Sequence, residues 1–209
     1  MKSVSAPLFR DPIHDGAADP TILYNRGENT WCILYTNRRA NVAGPGLAWV
    51  HGTDIGIATS CDGGHTWLYR GIAEGLRYKP GRNTYWAPEV VFHDGLYHMF
   101  VSFILGAPSD WSGERMILHY ISRNITDWRY HSTLTLSSSH VIDACVERLP
   151  TGIWRIWYKD EGHDSHIYCA DSDDIFQWKI KGPVITDRDQ PFEMNLKPEF
   201  APLIRGGKV

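Results

Sequence analysis

This 209-residue chain contains no cluster of basic residues, no apolar run of membrane-spanning length, no paired-cysteine motif and no apolar leader. Each absence excludes something. With 21 basic side chains scattered among 24 acidic ones and a net charge of −3, the chain offers no electrostatic footprint for a phosphate backbone, so nucleic acid is not an expected partner. No apolar stretch approaches the roughly 18 residues a membrane-spanning helix needs, so a membrane is not expected either. The segment from Met1 to Pro12 lacks the apolar core of a secretory signal, which predicts a cytoplasmic protein. Cys32, Cys61, Cys145 and Cys169 have neither C-x-x-C nor zinc spacing, and buried free thiols suit a reducing compartment better than two cross-strand disulfides. The ten histidines form no His-Glu-x-x-His or other ligand pattern, so no catalytic metal is expected. At 43% hydrophobic and 22% charged, the chain has the composition of a globular protein with a sizeable core, not of a disordered one.

Aromatic residues, by contrast, are abundant: nine Trp, ten Tyr and seven Phe. They suit a β-rich core, and flat rings also stack on sugars. Their positions reveal a repeat. One layout opens at Ala18-Asp19-Pro20-Thr21-Ile22-Leu23, passes through Trp31 to Tyr35 and Asp54 to Ser60, and closes at Trp67. It recurs from Trp86-Ala87-Pro88-Glu89-Val90-Val91 to Trp128, and again from Ile142-Asp143-Ala144-Cys145-Val146 to Trp178. The closing tryptophans lie 61 and 50 residues apart. Leu96 to Val101 alternates with period two behind a turn at His93-Asp94-Gly95, and no segment carries a sustained helical period. Four short strands per repeat, ending on Trp, predict an all-β fold, a β-propeller with four-stranded blades. Ser60-Cys61-Asp62-Gly63-Gly64-His65-Thr66-Trp67 matches the Asp-box, a turn motif of structural rather than catalytic chemistry.

The blades fall at about 13–75, 82–135 and 140–185, leaving an atypical tail at 186–209 in a single domain. Closed propellers typically need four to eight blades. The count therefore predicts a truncated chain, an irregular finish, or a homo-oligomer built through the unclosed propeller faces.

The opening motifs are the innermost strands. Aligned, they place Asp19, Ala87 and Asp143 at equivalent positions, with Glu89 two residues on and on the same strand face. Taken singly, Asp19 and Asp143 could be mere turn caps. Together, carboxylates converging from separate blades raise one another's pKa. Glycosidic hydrolysis needs that arrangement, with one carboxylic acid protonating the leaving oxygen while another carboxylate activates water or attacks carbon.

Ala18-Asp19-Pro20-Thr21-Ile22, Trp86-Ala87-Pro88-Glu89-Val90 and Val141-Ile142-Asp143-Ala144 resemble the first three blade motifs of glycoside hydrolase family 43 and its relatives. These are five-bladed propellers that act on arabinans, xylans and similar plant polysaccharides. The resemblance covers about residues 8 to 188 and implies an inverting hydrolase. By motif, Asp19 matches the general base, and Asp143 matches the aspartate that orients the acid and raises its pKa. Glu89 replaces the Asp usual in its motif, and Asp15 is a rival for the base. The family's general acid is a Glu on the fourth blade, and here Glu199 is only a faint echo of that motif. The resemblance requires no cofactor, though relatives often hold a Ca²⁺ ion in the channel, to which no residue here is assigned. Arg38, Asp160 and Glu161 follow strand ends and are candidates for a sugar subsite, as are Arg39 and Lys159. Trp86 is the candidate stacking ring.

The expected function is hydrolysis of O-glycosidic bonds in a plant or algal oligosaccharide or polysaccharide. The alternative is a catalytically inactive, truncated carbohydrate-binding relative that lacks the fourth-blade acid. A sialidase ranks last, because no arginine cluster for a substrate carboxylate is evident.

Overall fold

A computed structural model describes residues 6–186. Its regular structure is entirely β: twelve strands in three four-stranded antiparallel sheets. The first blade holds β1 (Ala17–Asn25), β2 (Thr30–Asn37), β3 (Asp54–Ser60) and β4 (Leu68–Ile72). The second holds β5 (Thr84–His93), β6 (Leu96–Ile104), β7 (Arg115–Ser122) and β8 (Arg129–Thr133). The third holds β9 (Val141–Arg148), β10 (Trp154–Asp160), β11 (His166–Ser172) and β12 (Lys179–Ile185). In each blade sequence order is spatial order, as hairpin connections dictate. The edge strands β1, β5 and β9 pack beside one another, so the molecule is a partial propeller with these strands innermost.

Period-two alternation splits the middle blade between two cores. On β6, Tyr97, Met99, Val101 and Phe103 pack toward the first blade with Leu34, Ile55 and Trp128. Phe100 faces the other way, into a cluster with Ile156, Tyr158 and Ala170 of the third blade. A strand buried on both faces therefore reads as an almost unbroken apolar run. Each β3–β4-type turn is held by one serine: Ser60, Ser122 and Ser172 donate to Asp62, Asn124 and Asp174 at 2.7, 3.1 and 3.0 Å. The Thr66 hydroxyl and amide, with Ser60, hold the Asp62 carboxyl well below the usual range. Trp67 and Trp128 tie back through Nε1 to the carbonyls of Gly64 and Ile125.

Each innermost strand carries a β-bulge at the same place. The register slips between Ala18 and Thr21, between Trp86 and Glu89, and in the third blade opposite Trp157 and Lys159. The residue at the slip is left-handed in all three, with φ of 48° at Asp19, 46° at Ala87 and 58° at Asp143. Such angles are uncommon outside glycine, Asp being among the most tolerant residues. The bulge amide is bonded by a hydroxyl from the preceding blade. Ala87 N donates to Thr36 Oγ1 at 2.8 Å and Asp143 N to Ser102 Oγ at 3.0 Å. Thr36 and Ser102 hold the same register position on β2 and β6, opposite Ala18 and Trp86. The bulge thus joins neighbouring blades and turns its own side chain toward the centre.

None of the four cysteines forms a disulfide; Cys32 and Cys169 are buried and Cys145 partly so, whereas Cys61 is exposed, in the turn after Ser60.

Candidate active site

Asp19 and Asp143 both open into a cavity of about 630 Å³, lined also by Arg38, Trp49, Val50, Trp86, Trp111, Arg115, Ile142, Lys159 and Glu161. Two irregular connections form its rim. Trp49 lies between β2 and β3 and Trp111 between β6 and β7, and Leu47 N donates to Ser109 O at 2.8 Å to join the two segments. Trp49 and Trp111 are 39% and 58% exposed, which leaves their rings free to contact a ligand. Trp86 is mostly buried, its Nε1 donating to Val50 O at 2.7 Å. The fully buried His51 packs against both the Trp86 and Trp111 rings, with centroids 5.0 and 5.7 Å away, and the two indoles meet edge-on at 6.2 Å. Its Nδ1 donates to Leu47 O and its Nε2 has no partner. Burial pushes its pKa down, so it packs as a neutral ring.

The two aspartates sit in unlike surroundings. Asp19 accepts a hydrogen bond from the Thr36 hydroxyl at 3.1 Å and pairs with Arg38 Nη2 at 3.4 Å. Gly16 positions this arginine. Arg38 N donates to Gly16 O at 2.9 Å, and a Cβ on Gly16 would lie 2.2 Å from the Arg38 carbonyl oxygen, so only glycine permits the approach. Asp143 is exposed to the cavity, yet the protein crowding its carboxyl pushes its pKa up, and the Asp19 charge adds to the rise against the opposing pull of Lys159. Glu161 takes two cations, Lys159 Nζ at 2.8 Å and, across the blade boundary, Arg115 Nε at 3.0 Å.

Of the residues singled out from sequence, Asp19, Asp143, Arg38, Trp86 and Glu161 come together here, and Asp15, Glu89 and Asp160 do not line the cavity. Asp15 is exposed and its carboxylate is held by Arg10 Nε at 2.7 Å, so the rival base is engaged elsewhere. Asp160 is fully buried and accepts from Ser137, Ser138, Gly162 N and His163. It builds the β10–β11 turn rather than a sugar subsite. Its neighbours Lys159 and Glu161 reach the cavity instead. Glu199 lies outside the described residues.

Glu89 has a different role. It stands two residues past the bulge of the middle blade, accepting Val146 N of the third blade at 3.1 Å and the Thr21 hydroxyl of the first at 3.4 Å. Burial raises its pKa from 4.5 to about 7, and the two hydrogen bonds only partly oppose the rise. The folded state therefore holds this proton more tightly than the unfolded chain. Its contribution to stability is full below pH about 4.5 and is lost as pH rises through about 7. We expect thermal unfolding across that interval to show stability declining by up to about 3 kcal/mol, and Glu89→Gln to flatten the decline. An unchanged slope in the mutant would refute this account.

Trp49, Trp111 and Arg115 were not identified from sequence. One clue was available, because a Trp in a Gly/Pro/Ser-rich connection, as in Gly44-Pro45-Gly46 to Trp49 or Pro108 to Gly113, has no strand face to bury it. Among the described residues no group of three or more His, Cys, Asp or Glu could hold a metal ion.

Fold and cavity together define a class: three four-stranded blades of a partial β-propeller, with carboxylates from separate blades facing one pocket. The structure is similar to Zg3597, a family 117 glycoside hydrolase of the marine bacterium Zobellia galactanivorans, at 21% identity and TM-score 0.66, covering 87% of this chain and 61% of that one. It is also similar to a thermostable family-43 glycoside hydrolase, at 20% identity and TM-score 0.63, covering 87% and 57%. An endo-arabinase from Bacteroides thetaiotaomicron VPI-5482 matches at 19% identity and TM-score 0.56, covering 82% and 56%. The chain thus spans about three-fifths of the length of these proteins, and at such identities the likeness is one of fold. No protein-family model and no curated protein matches the sequence.

Proposed function

We propose that the chain is a glycoside hydrolase acting on a plant or algal oligosaccharide or polysaccharide with inversion at the anomeric carbon. One observation carries the reading: Asp19 and Asp143, at the same bulge of two different blades, face one cavity walled by three tryptophans. In this mechanism Asp19 removes a proton from water as it attacks the anomeric carbon, and the bond to the leaving oxygen breaks. The Arg38 and Thr36 contacts hold its carboxylate in place. Asp143, whose own pKa is pushed up by burial and by the Asp19 charge, orients the proton donor and raises its pKa through its negative charge. The candidate proton donor, Glu199, lies outside the described residues.

A second reading, a sugar-binding relative without turnover, is favoured by the state of Glu161. Both of its oxygens are taken by Arg115 and Lys159, which leaves it poorly placed to donate a proton. The deciding experiment is hydrolysis of aryl glycosides and plant oligosaccharides, with NMR of the first-formed anomer. Release of the inverted sugar supports the hydrolase, a retained anomer overturns the mechanism, and binding without turnover on every substrate selects the second reading.

A further inference from the structure

We propose that the cavity selects a sugar bearing an anionic group, a ring carboxylate or a sulfate ester, held by Lys159 with Arg115 behind it. The proposal rests on the glycoside-hydrolase reading of the same cavity.

Three cations and three carboxylates line the wall, but their pairing is uneven. Glu161 takes both Lys159 and Arg115, Asp19 meets only Arg38, and no side chain bonds the Asp143 carboxylate among the described contacts. The Lys159–Glu161–Arg115 group thus carries a net positive charge on the cavity wall, with Lys159 paired to Ile142 beside Asp143 and close enough to act on its carboxyl. Arg115 is built in: it is 6% exposed, and its remaining nitrogens are spent on the carbonyls of Gly113 and Trp111. Lys159 is not. Its side chain is 29% exposed and its ammonium has donors beyond the one given to Glu161. Both Glu161 oxygens are already engaged, so its negative charge is covered from two sides.

The repeat supplies an independent observation. Lys159 pairs with Ile142 as Thr36 pairs with Ala18 and Ser102 with Trp86. In the first two blades this position carries a short hydroxyl that accepts the next blade's bulge amide. A lysine has no acceptor and cannot make that bond. The third blade has exchanged the joining residue for a cation that reaches the pocket. A neutral sugar is served by carboxylates, hydroxyl-bonding groups and aromatic faces. An ammonium beside a buried guanidinium is suited to an anion, because charge-assisted hydrogen bonds are the stronger ones. Arg115 also donates to the Trp111 carbonyl, which ties the Trp111 connection to this part of the cavity wall.

The test measures binding of the whole chain to three oligosaccharides of matched length, one neutral, one containing uronic acid and one sulfated, at low and high salt, by tryptophan fluorescence and calorimetry. At least one acidic sugar is expected to bind about ten-fold more tightly than the neutral one, with the advantage shrinking at high salt. Preference for the uronate alone assigns a carboxylate, and preference for the sulfated sugar alone assigns a sulfate ester. Lys159→Gln should bring the acidic sugar to the affinity of the neutral one, and Lys159→Arg should keep the preference. Equal binding of neutral and acidic sugars, or a preference that survives in folded Lys159→Gln, overturns the proposal and leaves the hydrolase reading standing. Failure of all three sugars to bind removes both. Should Lys159→Gln not fold, the salt-dependent comparison on the unsubstituted chain decides alone.

Discussion

Replacing Asp19 by Asn is expected to lower turnover about 10²–10⁴-fold, the usual contribution of a positioned general base, and to leave the melting temperature within a few degrees of the parent. Both halves follow from the site. Asp19 is the carboxylate with a hydroxyl donor and an arginine beside it, and an amide in its place cannot take a proton from water. The fold loses little. The Arg38 contact is 3.4 Å long between side chains that are 38% and 39% exposed, and such pairs contribute at most about 1 kcal/mol. Asn also suits the backbone, since φ is 48° at this residue and Asn, like Asp, tolerates the left-handed region. Alanine would confound the result by adding strain. Steady-state kinetics and a melting curve on the same preparation check both halves, and an undiminished rate removes Asp19 from the mechanism.

Asp160→Ala should have the opposite signature, a large loss of stability. The carboxylate is fully buried and receives two serine hydroxyls, the Gly162 amide and the His163 ring. Burial alone would raise its pKa, but the hydrogen bonds from Ser137, Ser138 and His163 outweigh it and hold the carboxyl below its ordinary 3.8. Its stabilising effect is therefore present above that pH and is lost as pH falls through the folded value. Truncation removes the buried acceptor of four part-buried hydrogen bonds at once, which costs about 3 kcal/mol. For a domain of this size that lowers the melting temperature by about 10 °C, measurable by circular dichroism. A melting point unchanged by Asp160→Ala would show that the turn does not depend on this residue.

The contrast between Asp160 and Glu161 shows where sequence reasoning stops. Both follow a strand end in Lys159-Asp160-Glu161, and both were candidates for a sugar subsite. Strand alternation sends neighbouring side chains to opposite faces, but which face is the pocket depends on where the next blade lies. Asp160 turns into the Ser137–Ser138 segment, and Glu161 meets Arg115 from the middle blade. Glu89 makes the same point. Its place two residues past the bulge was legible, whereas its partners Thr21 and Val146 come from two other blades.

Three strand-turn-strand repeats with a terminal Trp were enough to determine the all-β class, the blade architecture and the equivalence of Asp19, Ala87 and Asp143, because period-two alternation and turn chemistry are local. The left-handed angle shared by those three residues is the structural form of that equivalence. Only the tertiary structure decided the make-up of the pocket. Trp49, Trp111 and Arg115 enter it from connections and strand ends that no periodicity governs, and the pairing of Glu161 with two cations requires blades far apart in sequence to be packed side by side. Charge and aromatic character are properties of the residue. Whether they meet a ligand or a neighbouring strand is set by packing between blades, which the local pattern does not encode.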